Sequence, residues 1–199
     1  MRLVLDSLSN GYHAPVEKLV APTSQDVAAM IAAQEEAGKI VGVTNSWLFE
    51  LAMIRAVPMA RRNELREILA ASTQVLQTHD PILSAREHWC HSLPGGRFGE
   101  CLPHPAYILQ AFLSSLSVES VVVRRVGDYP WVPFDELCAV LKGKDGMGAA
   151  HLSFNAPNYG TFIDVYGSEK MLRIDLVGQT IWEAKRKIAN RLSKGAENL

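Results

Sequence analysis

Residues 12–43 read YHAPVEKLVAPTSQDVAAMIAAQEEAGKIVGV, and this stretch decides the fold. Pro22 to Lys39 has every mark of a helix: Thr23 or Ser24 can cap it, Asp26 sits in the first turn, Val27, Met30 and Ile31 share a face, and Gly38 follows the periodic run. Tyr12 to Val16 before it reads as a short strand, and Ile40 to Val43 after it as a buried one. A strand, a helix and a second strand in this order imply parallel strands joined by a helical crossover.

Working outward, the chain opens with a short apolar piece, Leu3 to Leu8, closed by the turn signal Asn10-Gly11. Phe49 to Leu69 has helical spacing, but Pro58 lacks an amide donor and is expected to divide it into two helical pieces. Ala71, Thr73, Val75 and Gln77 alternate as a strand does. Residues 78–99 are rich in His, Pro, Gly and aromatic residues, so they read as a long functional loop. A helix with an initial proline is expected over Pro105 to Leu116. Val118 to Val126, Glu136 to Leu141, Ala149 to Phe154, Thr161 to Tyr166 and Leu172 to Leu176 are β-prone runs, the last four separated by turn clusters that favour an antiparallel meander. Ile181 to Leu192 reads as a terminal helix.

The 199 residues carry a net charge of −1 and are 48% hydrophobic, which fits a packed core and argues against disorder or a nucleic-acid partner. No apolar run is long enough for a membrane span and no signal-peptide core forms, so a cytoplasmic protein is expected. Three cysteines, Cys90, Cys101 and Cys138, point to reduced structural thiols rather than a disulfide framework.

Three groups of residues could carry chemistry. Glu17-Lys18 closes a strand, where open α/β sheets bind ligands, and the lysine can donate to a substrate hydroxyl. Within Gly95-Gly96-Arg97-Phe98-Gly99-Glu100-Cys101-Leu102-Pro103-His104-Pro105, the glycines allow close backbone approach. Glu100 and His104 lie four residues apart there, and a histidine at a helix start is held neutral by the dipole, poised to accept a proton. The run Arg86-Glu87-His88-Trp89-Cys90-His91 supplies a polar wall with Trp89 as a stacking surface. With Cys101 and His104 it could also supply metal ligands, but the spacings match no finger or ribbon, so no metal is expected. The sequence contains no strand followed by a Gly-x-Gly-x-x-Gly turn.

Taken in order, these motifs resemble the oxidoreductase family named after glucose-fructose oxidoreductase, inositol dehydrogenase and MocA (Gfo/Idh/MocA). Gly11-Tyr12-His13-Ala14-Pro15-Val16-Glu17-Lys18 is similar to its G-K-H-V-x-x-E-K-P stretch, Gly95 to His104 to its G-G-x-x-x-D-x-G-x-H segment, and Gly167-Ser168-Glu169-Lys170 to a G-x-x-G turn. The chain departs from the pattern at Leu19 for proline, Leu102 for glycine, Tyr107 for a frequent aspartate and Arg66 for a turn glycine.

The resemblance implies an α/β to α+β fold. Residues 1–44 would be a remnant of a Rossmann βαβ, and residues 45–199 an open mixed, largely antiparallel sheet covered by helices on one face, used for substrate and for homo-oligomers. It implies NAD or NADP as cofactor, met by Glu17 and Lys18, and a sugar or polyol as substrate. Lys18 would orient the reacting hydroxyl, His104 would act as acid or base with Glu100 beside it, and Arg86, His88, Trp89, Arg97 and Tyr107 would line the substrate. On this reading the chain is an incomplete copy of such an enzyme, with roughly 90 residues of nucleotide-binding βα units missing. The alternatives are a non-catalytic oligomerisation or ligand-binding module derived from that family, and a metal-assisted enzyme using the His and Cys cluster.

Overall fold

The computed structural model describes residues 1–78 and 80–185. Its first part is the expected unit. Strand β1 (Ala14–Glu17) runs parallel to β2 (Val41–Thr44), and α2 (Ser24–Ala37) makes the crossover. Thr23 Oγ1 accepts from the Asp26 amide at 3.1 Å, and Gly38 ends the helix at φ 59°, a left-handed conformation that costs glycine little. The opening apolar piece is a helix of its own, α1 (Arg2–Ser9), which buries Val4 and Leu8 against Ala14 and Met30. Two expectations fail here. Ile40 and Val43 are 64% and 39% exposed rather than buried, and Ile31 points outward at 50%, because among the described residues this two-stranded sheet is covered only by α1 and α2.

The larger part is a seven-stranded sheet in the order β4-β5-β6-β3-β7-β8-β9. Its strands are β3 (Ile68–Leu76), β4 (Ser117–Arg124), β5 (Glu136–Lys142), β6 (Met147–Ser153), β7 (Gly160–Gly167), β8 (Lys170–Asp175) and β9 (Thr180–Lys185). The meander is interrupted once: β3, early in sequence, inserts between β6 and β7, parallel to the first and antiparallel to the second. Side-chain alternation then sorts the faces. Ala71, Thr73, Val75, Ala150, Leu152, Ile163, Val165, Leu172 and Ile174 are buried in one core beneath the helices. The other face is open, with Val122, Val140 and Trp182 at 69%, 48% and 58% exposure.

Helix α3 (Leu51–Arg61) runs unbroken through Pro58. The division falls instead at Glu50, whose extended backbone separates α3 from a 3₁₀ turn over Ser46–Phe49. Packing decides this: Ala52, Met53 and Ala56 are fully buried against the sheet, and their burial outweighs the amide that proline lacks. Leu69 belongs to β3. The expected loop over residues 78–99 is built of short turns: α4 (Pro81–Ser84), a 3₁₀ turn (Trp89–Ser92) and the start of α5 (Gly96–Cys101). Helix α6 (Pro103–Gln110) starts two residues earlier than expected. Residues 181–185 form strand rather than helix, since they pair with β8, and the remainder of that expected helix lies outside the described residues.

Candidate active site

Lys18 follows β1 and reaches across to α5. Its Nζ donates to the Glu100 carbonyl at 3.0 Å and also to the Glu100 carboxylate. The other oxygen of that carboxylate takes Arg97 Nη1, and Arg97 Nε donates to Asp80 Oδ2 at 2.6 Å. Asp80 Oδ1 in turn accepts the Ile82 amide at 2.9 Å and starts α4. The result is a chain of alternating charges, Lys18, Glu100, Arg97 and Asp80, with side-chain exposures of 14%, 20%, 8% and 2%. The Lys18–Leu19 peptide is cis. Gly99 is required by close approach, since a Cβ there would lie 2.1 Å from the Pro94 carbonyl oxygen.

His104 sits in the first turn of α6, one turn beyond Glu100. Its ring stacks on Trp47 at 4.0 Å with a 20° interplanar angle, and its Nδ1 is 2.6 Å from the Tyr107 hydroxyl. The same hydroxyl accepts the Trp47 amide at 3.3 Å. Burial, then the positive charge of Lys18, depress the His104 pKa to about 4, with Glu100 opposing and Arg97 assisting. Tyr107 is pushed up to about 12, chiefly by burial. Burial works against the charge on Glu100, but Lys18 and Arg97 outweigh it and hold the carboxyl below its usual range. At neutral pH the site therefore presents an ammonium, a carboxylate and a neutral imidazole.

The structure gathers Lys18, Glu100, Arg97, His104 and Tyr107, but not all the residues singled out from sequence. Glu17 is exposed and its carboxylate accepts the Lys18 amide at 3.1 Å. Arg86 is 73% exposed in its side chain and lies 4.0 Å from Glu87. His88 Nδ1 accepts the Cys90 amide at 3.3 Å, and Trp89 is 59% exposed with its ring 5.6 Å from that of His88. Among the described residues no hydrogen bond, ion pair or ring stacking joins Arg86, His88 or Trp89 to the cluster. Arg97 is occupied by two carboxylates and lies over the Phe154 ring at 5.2 Å. Two participants went unread in the sequence: Trp47, which carries no local signal, and Asp80, whose signal is the helix-starting Asp-Pro pair.

Cys90 and Cys101 are buried free thiols. Burial raises both, Cys101 to about 11, so neither is a ready nucleophile. Among the described residues no three His, Cys, Asp or Glu side chains group to hold a metal ion. Nor is any described helix long and apolar enough to cross a membrane.

The fold is similar to that of the C-terminal domain of solved NAD-binding oxidoreductases. An NAD-binding oxidoreductase from Klebsiella pneumoniae superposes with a TM-score of 0.80 at 20% identity, over 96% of this chain and 55% of that one. Levoglucosan dehydrogenase in complex with NADH and L-sorbose gives 0.78 at 18%, over 96% and 55%. An inositol dehydrogenase homologue from Azotobacter vinelandii, complexed with NAD+, gives 0.72 at 19%, over 94% and 54%. These are oxidoreductases of the kind that the motif resemblance pointed to, and the chain spans little more than half the length of each. No family model matches the chain, and no curated protein is similar to it.

Proposed function

We propose that this chain is the substrate side of an NAD(P)-dependent oxidoreductase of the Gfo/Idh/MocA type, acting at a hydroxyl-bearing carbon of a sugar, polyol or related small molecule. The observation that carries this reading is the pairing of Lys18, at a strand end, with Glu100, one helical turn before His104 in the first turn of the next helix. An ammonium and a neutral imidazole near one point are what holding a substrate oxygen and handling its proton require. Glu100 positions Lys18, and Arg97, pinned by Asp80, positions Glu100. Trp47 backs His104 and also lines a hollow of about 220 Å³ with Glu50, Tyr159 and Thr161, an aromatic and carboxylate lining suited to a sugar ring.

NAD(P), when bound, supplies the hydride acceptor or donor. The residues present fit only its reactive end, where Glu17 and Lys18 would meet it. No glycine turn follows β1 or β2, and no set of helix-terminal amides is arranged for a pyrophosphate among the described residues, so no step is drawn through the cofactor. We assign residues 1–44 to the nucleotide side and 45–199 to the substrate domain, and place the protein in the cytoplasm, where its free thiols stay reduced.

The test is a titration of the 15N-labelled chain with aldoses, ketoses and polyols. We expect the Trp47 indole and His104 signals to move, and the Trp47 indole to stay still in His104→Ala. No response to any of them at roughly tens of millimolar would sink the reading. Calorimetry is expected to show NAD+ and NADP+ binding no tighter than about 1 mM, and micromolar affinity would overturn the missing-cradle argument.

The open face of the large sheet favours a homo-oligomer, which an oligomerisation module without catalysis would share. On that face Val122, Val140 and Trp182 stand exposed, and exposed apolar sheet faces mark contact surfaces. Light scattering is expected to give a dimer or larger, and Val122→Lys with Val140→Lys to give a monomer. A monomeric mass for the unmodified chain at high concentration would remove this partner.

A further inference from the structure

We infer that the Tyr107 hydroxyl donates its proton to His104 Nδ1, which fixes the histidine as its Nε2–H tautomer and makes it a hydrogen-bond donor toward an acceptor oxygen, such as a substrate ketone or aldehyde carbonyl. The inference deepens the proposed function and rests on it for the identity of the ligand, but the tautomer itself rests on hydrogen-bond geometry.

A tyrosine hydroxyl has one proton to give and two lone pairs to receive with. The Trp47 amide, in the first turn of a 3₁₀ helix whose cap residue Asn45 makes no side-chain bond, can only donate, and it takes one lone pair at 3.3 Å. Among the described residues His104 Nδ1, at 2.6 Å, is the one bonded group able to receive the phenol proton. A proton on Nδ1 instead would aim a second donor at the same oxygen and leave the phenol proton with no protein acceptor among the described residues. The position of the proton on an imidazole is set by the bond its other nitrogen makes, so Nε2 carries it. Among the described residues Nε2 has no protein hydrogen-bond partner, which leaves it to a ligand.

The surrounding charges keep this arrangement neutral. Lys18 and Arg97 oppose an imidazolium and Glu100 favours one; burial adds to the opposition, and it also holds Tyr107 as the phenol. The expectation from sequence that His104 waits to accept a proton is therefore inverted: with its Nδ1 already engaged as an acceptor, the ring enters as the donor. Tyr107 is the positioning residue, buried at 7% exposure and in reach of the ring rather than of solvent.

The experiment is a long-range 15N–1H correlation spectrum of the full chain labelled in histidine, with His104 assigned by comparison with His104→Gln. At about pH 7 we expect an unprotonated, hydrogen-bonded Nδ1 and a protonated Nε2. Tyr107→Phe keeps the ring in its socket and should release Nδ1 to a mixture of tautomers, while Tyr107→Asp, an acceptor-only carboxylate, should draw the proton onto Nδ1. A protonated Nδ1 in the unmodified chain, or no change in Tyr107→Phe, overturns the inference. The spectrum of the unmodified chain decides the matter even where a variant fails to fold. Saccharide binding with the opposite tautomer defeats this inference alone, and the stated tautomer without saccharide binding defeats only the oxidoreductase reading.

Discussion

Arg97→Met is expected to lower the unfolding free energy by about 3–5 kcal/mol, read as a shift in the urea midpoint at unchanged slope. Arg97 and Asp80 are 8% and 2% exposed in their side chains and 2.6 Å apart, so removing the guanidinium leaves a buried carboxylate with only the Ile82 amide to answer it. Glu100 loses its second cation at the same time and keeps Lys18. The methionine fills the space left by the arginine stem, so the loss measures charge rather than volume. The control is the double variant Arg97→Met with Asp80→Asn, which removes the stranded charge and should recover part of the loss. A single-variant loss below about 1 kcal/mol would mean that this pair behaves as a surface ion pair and does not organise the site.

The second large effect is expected in acid. His104 titrates at 6.5 when free and at about 4 in the fold, because burial and the Lys18 charge disfavour the imidazolium. A histidine with a depressed folded pKa contributes stability that is whole above its free pKa and is lost as pH falls, since the unfolded chain takes up the proton first. The window is therefore between pH 6.5 and about 4. A shift of this size would be worth about 3 kcal/mol at full burial, and solvent screening of a half-buried ring reduces it to about 1–2 kcal/mol. Glu100, held below its ordinary 4.5, acts in the same direction at the lower end of that window and beyond it, where protonation removes its bonds to Lys18 and Arg97. Urea titrations at several pH values should show the decline, and His104→Gln should flatten its upper part. An unchanged slope in His104→Gln would place the titrating group elsewhere.

Local rules accounted for much of this molecule. The crossover helix was legible because Thr23, Asp26 and Gly38 act within a few residues of the groups they satisfy, and caps of that kind work in any context. The five β-prone runs from Val118 onward found strands because alternation and turn residues are likewise local. Where sequence reasoning failed, a distant partner had overruled a local preference. Pro58 stays within α3 because Ala52, Met53 and Ala56 are held by the sheet, and residues 181–185 are strand because β8 offers them an edge.

The site divides in the same way. Lys18, Glu100 and His104 could be picked out from strand end, glycine segment and helix start, and the glycine-rich turn that would mark a phosphate cradle could be seen to be missing from the sequence. That Lys18 meets Glu100 across 82 positions is a matter of tertiary structure. So are the neutralisation of Arg97 by Asp80 and the stacking of Trp47 on His104. A charge in water interacts weakly with anything, and only burial makes the identity and distance of its partner decisive. The sequence by itself therefore determined which residue types and backbone elements were available for chemistry. The tertiary structure decided which of those groups are desolvated together, and through that their protonation and their roles.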